Sequence, residues 1–190
     1  LYSTDEYKEK TREFLREEFK YMRSFTKDIF TSFEEKSIVA QGEIMSTNMV
    51  LNYLQEQGIK ATLLSAFDFM RTDKNAEPDA QYIKEKLTAI MAENEGYQIY
   101  ITQGFICLNA YGEIDNLQRG GSDFTASLIG VALGAEEIQI WTDIDGMHNN
   151  DPRIVEETEA IRQLNFEEAA ELAYFCAKIL HPTCVQPAKY

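Results

Sequence analysis

From Thr4 to about Phe33 the apolar residues fall at helical spacing, with Leu15, Phe19, Met22, Phe25, Ile29 and Phe33 on one face. Charged residues such as Lys8, Glu9, Arg12, Glu13, Arg16 and Glu17 fill the other face. The spacing predicts one or two amphipathic helices. A further helix is predicted from Glu43 to Gln57, opening after Gly42 and stopping at Gly58. Ile59–Ser65 is short, branched and apolar, as a strand should be. Asp79–Asn94 reads as a helix with Ile83, Leu87, Ile90 and Met91 on its inner face. Tyr97–Thr102 reads as a strand that Gly104–Leu108 continues, and Asn109–Arg119, around Gly112, as a hairpin or loop. Ser122–Leu133 is apolar enough for a helix buried on most sides, and Ile138–Trp141 for a strand running into Thr142 and Asp143. Asn165 caps a last helix with Glu168 as its capping-box partner, carrying Ala169, Leu172, Ala173 and Cys176 inward. Strands alternating with helices make the fold class α/β, with a mostly parallel sheet covered on both faces.

Charge and composition narrow the functions open to such a fold. The 190 residues hold 32 acidic against 18 basic side chains, a formal charge of −14. Non-specific nucleic-acid binding needs a basic surface to displace counterions, so it is excluded here. An anionic substrate has to be held by a local cationic pocket that works against the global field. No apolar run reaches the roughly 18 residues of a membrane helix. Three cysteines (Cys107, Cys176, Cys184) without paired or metal-like spacing fit a reducing, cytoplasmic setting. The chain opens at Leu1 in helical sequence, which reads as an excised piece of a longer protein.

Chemistry is expected where strands give way to helices at their carboxyl ends. Arg119-Gly120-Gly121-Ser122-Asp123-Phe124-Thr125 is one such junction. Its paired glycines let backbone N–H groups approach an anion, the helix N-terminus adds positive potential, and Arg119 can fork onto a carboxylate or phosphate. A tight turn with an N-cap serine accounts for the same residues. The second junction is Trp141-Thr142-Asp143-Ile144-Asp145-Gly146, followed by Asp151-Pro152-Arg153. Its aspartates invite a calcium-loop reading, but Gly146 falls too early in the count from Asp143; a plain Asp-Gly loop stays open. Trp141 at a strand end suits a core position. Glu43 after Gly42 has an alternative as a first-turn glutamate favoured by the helix dipole, Lys178 as a solvated lysine, and Cys176 as a small core residue. His148 and His181 are the only histidines, and no serine or cysteine stands in a nucleophile elbow.

Together the motifs carry a resemblance. Trp141–Gly146 with Asp151-Pro152-Arg153 resembles the nucleotide segment of the amino-acid kinase superfamily. Gly42-Glu43-Ile44-Met45-Ser46, Arg119–Ala126 and Phe175–Pro182 are similar to the aspartate kinase signatures, in the family's order. Thr102-Gln103-Gly104-Phe105-Ile106 is similar to that family's substrate-side strand end. The resemblance covers the chain from about Ile38 to Tyr190. It implies a three-layer α/β/α sandwich of the carbamate kinase-like type lacking its N-terminal strand. Residues 1–36 would be a helical region, 37–120 the substrate side and 121–190 the nucleotide side, with regulatory domains absent.

The family phosphorylates the side-chain carboxylate of L-aspartate with ATP and Mg²⁺, in the pathway to lysine, threonine and methionine, and is expected to be homodimeric. By resemblance, Arg119 and Ser122, with Gly120 and Gly121 beside them, hold the substrate α-carboxylate, and Glu43 accepts its ammonium. Asp123 orients catalytic lysines. Thr142, Asp143, His148, Arg153 and Lys178 match nucleotide-side positions, with Lys178 and Arg153 nearest the phosphates, and no side-chain metal site is implied. His148 stands where the family usually has tyrosine; Gln118 and Cys176 replace glycines. The family's opening Lys-Phe-Gly-Gly-Thr-Ser loop has no match, so the chain alone is expected to lack useful turnover. A kinase of another carboxylate and a non-catalytic binding or dimerisation module are the competing readings; Glu43 and the Gly-Gly-Ser-Asp run favour aspartate.

Overall fold

The structure is a computed structural model. It describes residues 1–190 except 28, 119, 144, 152, 153, 176–181, 186 and 190. Two compact units divide the chain, Leu1–Asn116 and Leu117–Tyr190.

The first unit opens with helix α1 (Asp5–Ser24), followed by a 3₁₀ turn at Phe25–Lys27. The helical periodicity does not reach Phe33 unbroken: Ile29 and Phe30 lie exposed between two helices, and Phe33 lies in the first turn of the second. Helix α2 runs from Ser32 to Glu56. Its start corrects the expectation of a helix opening at Glu43, because Thr31 and Glu34 form a capping box that sequence reading passed over. The Glu34 carboxylate accepts from the Thr31 N–H at 2.8 Å, and the Thr31 hydroxyl oxygen accepts from the Phe33 N–H at 3.3 Å. An interior glycine costs a helix about 1 kcal/mol against alanine. That cost at Gly42 is offset by the contacts α2 makes along its length. Near its C-terminal end, Glu56 accepts the backbone N–H groups of Ser3 and Thr4, and buried Asn52 donates to Thr11 at 3.0 Å. Near its start, Lys36 pairs with Asp115 at 2.8 Å. The helix ends where expected, with Gly58 at φ +76°, a conformation that a Cβ disfavours.

Strand β1 (Ala61–Leu64) and strand β2 (Ile99–Thr102) pair in parallel, Ala61 opposite Ile99 and Leu64 opposite Thr102. Short helix α3 (Ala66–Phe69) follows β1, and helix α4 (Ala80–Glu93) crosses to β2 as the pattern predicts, capped by Asp79. Arg71 pairs with Asp79 and stacks on the Tyr82 ring at 3.7 Å, tying the intervening loop to the start of α4. The Arg71 guanidinium and the Tyr82 N–H hold the Asp79 carboxyl below the usual carboxylate range.

Gly104–Leu108 does not continue β2. Phe105 has φ +69°, which turns the chain, and Ile106–Leu108 forms strand β3, antiparallel to β4 (Ile114–Asn116) in a separate two-stranded sheet. The expected hairpin is therefore present, one element later than the strand that leads into it. Phe69, Met70, Ile83, Leu87, Ile106 and Cys107 are fully buried in this unit. Burial pushes the Cys107 thiol up to about 12, helped by the nearby Asp115 carboxylate, so it is an inert core thiol at neutral pH.

In the second unit helix α5 (Gly121–Leu133) buries one side through Thr125, Ser127, Leu128 and Gly130. Val131 and Leu133 are exposed, so it is less enclosed than its composition suggests. Ile138–Trp141 is irregular rather than a strand. Its exposure alternates as a strand's would, but an extended run needs a hydrogen-bonded neighbour, and none pairs with it among the described residues. Trp141 is 88% exposed and is not a core residue. Helix α6 (Phe166–Phe175) has the expected capping box: Asn165 Oδ1 accepts from the Glu168 N–H at 2.9 Å, and Glu168 accepts from the Asn165 N–H at 2.9 Å. Ala173 is buried, Ala169 and Leu172 half-buried, and Cys176 lies outside the described residues. Helix α7 (Pro182–Val185) follows.

Leu87 is 2% exposed on the inner face of α4. Leu87→Ala should cost about 2–5 kcal/mol in urea unfolding. Leu87→Met, which nearly conserves volume, should cost less than about 1.5 kcal/mol. Equal losses would show that this core is not packed as described.

Candidate functional site

Glu43 lies in the middle of α2, half-buried, with helix on both sides. The alternative of a first-turn glutamate serving the helix dipole is therefore removed. Its carboxylate makes no hydrogen bond or ion pair among the described residues. Beside it Gly42 is exposed, and a Cβ built there would meet nothing within 4 Å. A bare patch of helix next to an unpaired carboxylate is a place where a cationic group can approach closely. The Glu43 carbonyl accepts the Thr47 hydroxyl at 2.7 Å and the Ser46 hydroxyl at 3.1 Å.

In the second unit Gly120 is the residue before α5, with φ +75°, and Gly121 is its buried first residue. Left-handed backbone at Gly120 is what the paired glycines supply. Gln118, standing where the resembled family has glycine, also has positive φ, at 59°. A non-glycine residue in that region is uncommon and carries a conformational cost. Ser122 is exposed and Asp123 half-buried in the first turn of α5. First-turn N–H groups and the helix dipole favour anions there. Burial nevertheless pushes the Asp123 carboxyl above its ordinary range.

The nucleotide-side candidates sit in the irregular stretch that follows. Thr142 and Asp143 are both exposed, and the Thr142 hydroxyl donates to Asp143 at 3.1 Å. His148 is buried, with Nε2 at 2.6 Å from Asp145 and Nδ1 at 2.9 Å from the Thr158 hydroxyl. Its hydrogen bond also holds the Asp145 carboxyl below the usual range. Both ring nitrogens are thus engaged within the unit, and the residue links Asp145 to the Thr158–Ala160 stretch, to which His148 is bridged. Arg119, Arg153 and Lys178 lie outside the described residues. A cavity of about 440 Å³ in this unit is lined by Ile138, Ile140, Met147, Ile161, Phe166 and Val185 among others, and by none of the described candidates. Among the described residues no three His, Cys, Asp or Glu side chains gather as a metal cluster, and no helix is long and apolar enough to cross a membrane.

Sequence reasoning placed Gln103 in the resembled substrate-side strand end without a role of its own and passed over Thr47; the Thr47 hydroxyl bonds the Glu43 carbonyl and accepts from the Gln103 amide. The signal available was the Ser46-Thr47 pair three and four residues after Glu43, the spacing at which hydroxyls reach back to a helix carbonyl.

The model of the amino acid kinase family matches residues 3–190. The chain belongs to that family. Lysine-sensitive aspartokinase 3 of Escherichia coli (strain K12) is 41% identical over 156 residues, covering 80% of this chain and 34% of that protein. Chloroplastic aspartokinase 2 of Arabidopsis thaliana is 39% identical over 158 residues, covering 80% of this chain and 29% of the relative. The crystal structure of E. coli aspartokinase III in complex with aspartate and ADP superposes with a TM-score of 0.86 at 33% identity, over 93% of this chain and 41% of that one. The α/β, amino-acid kinase fold read from the sequence is thereby established, as is the likeness to aspartate kinases. The chain spans about a third of the length of the curated relatives it matches.

Asp123 yields a test of its environment. Its folded-state pKa lies above the unfolded value, so the native unit binds the proton more readily than the unfolded chain does. The cost of ionising it is absent below the unfolded pKa and grows as pH rises through the folded one. Asp123→Asn should therefore raise the melting temperature at neutral pH, with the gain vanishing in acid below the ordinary carboxylate range. A gain of the same size at all pH values would contradict the assigned desolvation.

Proposed function

We propose that this chain is part of the catalytic domain of an aspartokinase, which transfers the γ-phosphoryl group of ATP to the side-chain carboxylate of L-aspartate and yields 4-phospho-L-aspartate. The observation that carries this reading is the 0.86 TM-score to an aspartokinase crystallised with aspartate and ADP. The motif order from Gly42-Glu43 to the Lys178 segment supports it.

The reaction suits the residues. An aspartate carboxylate, with an unperturbed pKa near ~3.9, is already ionised at neutral pH and needs no general base. One of its oxygens forms the new O–P bond while the γ-phosphorus separates from the bridging oxygen, and ADP leaves with the electron pair. The protein's task is to position two anions and stabilise the charge between them. Glu43, unpaired beside the open surface at Gly42, is assigned to the substrate ammonium. Arg119 and Ser122, with the backbone at Gly120 and Gly121, are assigned to the α-carboxylate. Asp123 is assigned to orienting catalytic lysines. Thr142, Asp143, His148, Arg153 and Lys178 are assigned to the nucleotide, Lys178 and Arg153 to its phosphates and Lys178 also to catalysis.

Mg²⁺ fits the hard oxygen donors of Thr142 and Asp143, since that ion takes most of its ligands from phosphates and water. When bound it neutralises charge on the transferring phosphates. We also propose a cytoplasmic homodimer for the full-length protein, and the division of the family domain into a substrate side at 37–120 and a nucleotide side at 121–190, behind the helices of 1–36.

Losing one partner of a desolvated charge pair costs about 2–5 kcal/mol. In the full-length protein, Glu43→Ala should raise the aspartate KM strongly and leave ATP affinity within a few-fold. Lys178→Ala should weaken ATP or lower kcat with a smaller effect on aspartate. Steady-state kinetics with matched circular dichroism separates the two. A well-folded Glu43→Ala enzyme with an unchanged aspartate KM would overturn the assignment.

A further inference from the structure

Glu43 is useful to a substrate ammonium only if α2 holds it at a fixed height. The atoms that fix it come from the far end of the parallel strand pair. Gln103 follows the last residue of β2 and is only 3% exposed. Its side-chain amide has two partners. The oxygen accepts the N–H of Ala66, where α3 opens after β1, at 2.9 Å. The nitrogen donates to the Thr47 hydroxyl at 3.0 Å.

These partners fix the direction of every proton. A backbone N–H can only donate, so the amide oxygen faces Ala66 and the amide nitrogen must face Thr47. The Thr47 oxygen then accepts, and its single proton goes to the helix carbonyls one turn back: Glu43 at 2.7 Å, with Ile44 more distant at 3.2 Å. The result is a directed relay from the carboxyl ends of β1 and β2, through Gln103 and Thr47, to the backbone of Glu43. Side-chain hydroxyls that bond back to a helix carbonyl tend to bend the helix at that turn. Here the carbonyl that takes the bond is that of Glu43, whose half-buried side chain lies beside the exposed Gly42. The relay is itself rigidly based, because two residues beyond Gln103 the chain turns through Phe105 at φ +69°. A bulky residue held in that region marks a segment fixed by its surroundings, and such positions concentrate at functional sites.

We infer that Gln103 is a positioning residue for substrate recognition, setting the place of Glu43 on α2 through the Thr47 hydroxyl. The inference deepens the reading of Glu43 as the ammonium acceptor and rests on it. Gln103 itself touches no substrate in this account. Its loss lets the Glu43 turn relax, and a charge-assisted hydrogen bond is sensitive to small displacements of its partners.

The test is steady-state kinetics of the full-length protein with aspartate and ATP varied separately. Gln103→Leu removes both amide bonds at nearly constant volume, Thr47→Val removes only the hydroxyl, and Thr47→Ser keeps it. Gln103→Leu and Thr47→Val should each raise the aspartate KM roughly ten- to hundredfold, with kcat and the ATP KM within about two-fold of the parent. Thr47→Ser should restore the parent value, and the double variant should be no worse than the more impaired single one, because both cut the same relay. Should Gln103→Leu fail to fold, the Thr47→Val and Thr47→Ser pair carries the same test. An aspartate KM unmoved by Thr47→Val, or a fall in kcat and in both affinities together with melting temperature, would overturn the inference by showing a merely structural amide. Glu43→Gln separates the two layers. If it raises the aspartate KM while Thr47→Val does not, only the relay falls; if it too has no effect, the ammonium assignment falls and the relay with it.

Discussion

Helix α2 continues unbroken across Gly42, and the substrate half of the proposed chemistry hangs on that continuity. Had the helix begun at Glu43, the carboxylate would sit in a first turn, facing unsatisfied N–H groups and a favourable dipole that would satisfy it locally. In mid-helix the backbone N–H groups are committed to the ladder, so the carboxylate is left for something outside the helix. The continuity is held from both ends: the Thr31–Glu34 capping box and the Lys36–Asp115 pair near the start, Asn52 and Glu56 on α1 and its leading residues near the finish. Gly42 does not break the helix; it leaves one position without a side chain and opens the surface beside Glu43.

A second constraint is electrostatic. The proposed reaction brings an anionic carboxylate to a polyphosphate in a chain of formal charge −14. Two unit charges 4 Å apart repel by about 4 kcal/mol at an effective dielectric constant of 20. Overcoming that requires cations and N–H donors aimed at the reacting groups rather than a favourable overall field. Among the described residues, burial raises the Asp123 carboxyl above its ordinary range even at a helix N-terminus, whereas the hydrogen bond to His148 holds the Asp145 carboxyl below it.

Much of this was legible in the sequence wherever the determinants were local. Helix α4 with its Asp79 cap, α6 with its Asn165–Glu168 box and the hairpin around Gly112 all follow from side chains a few residues apart. The errors fall where distant contacts decide. Gly42 looked like a boundary because propensity counts its cost but not the packing that offsets it. Gly104–Leu108 looked like more of β2 because nothing in its composition reveals the positive φ of Phe105. Ile138–Trp141 has a strand's alternation, but alternation without a neighbouring strand gives only extended chain. The motifs pointed to Glu43 and to the Gly120–Asp123 turn, since those residues carry their own chemistry. Gln103 was legible only as part of the substrate-side strand-end motif, and Thr47 not at all, because the bond between them exists only once β2 and α2 are side by side.

In the proposed chemistry, Glu43 on α2 receives the ammonium group of aspartate. A crystal structure of the full-length protein with L-aspartate bound tests it most directly. The account predicts the substrate nitrogen within about 3 Å of a Glu43 carboxylate oxygen, in hydrogen-bonding range, with the Gln103–Thr47–Glu43 bonds intact. An aspartate bound with its ammonium on another group, and Glu43 turned to solvent, would contradict it.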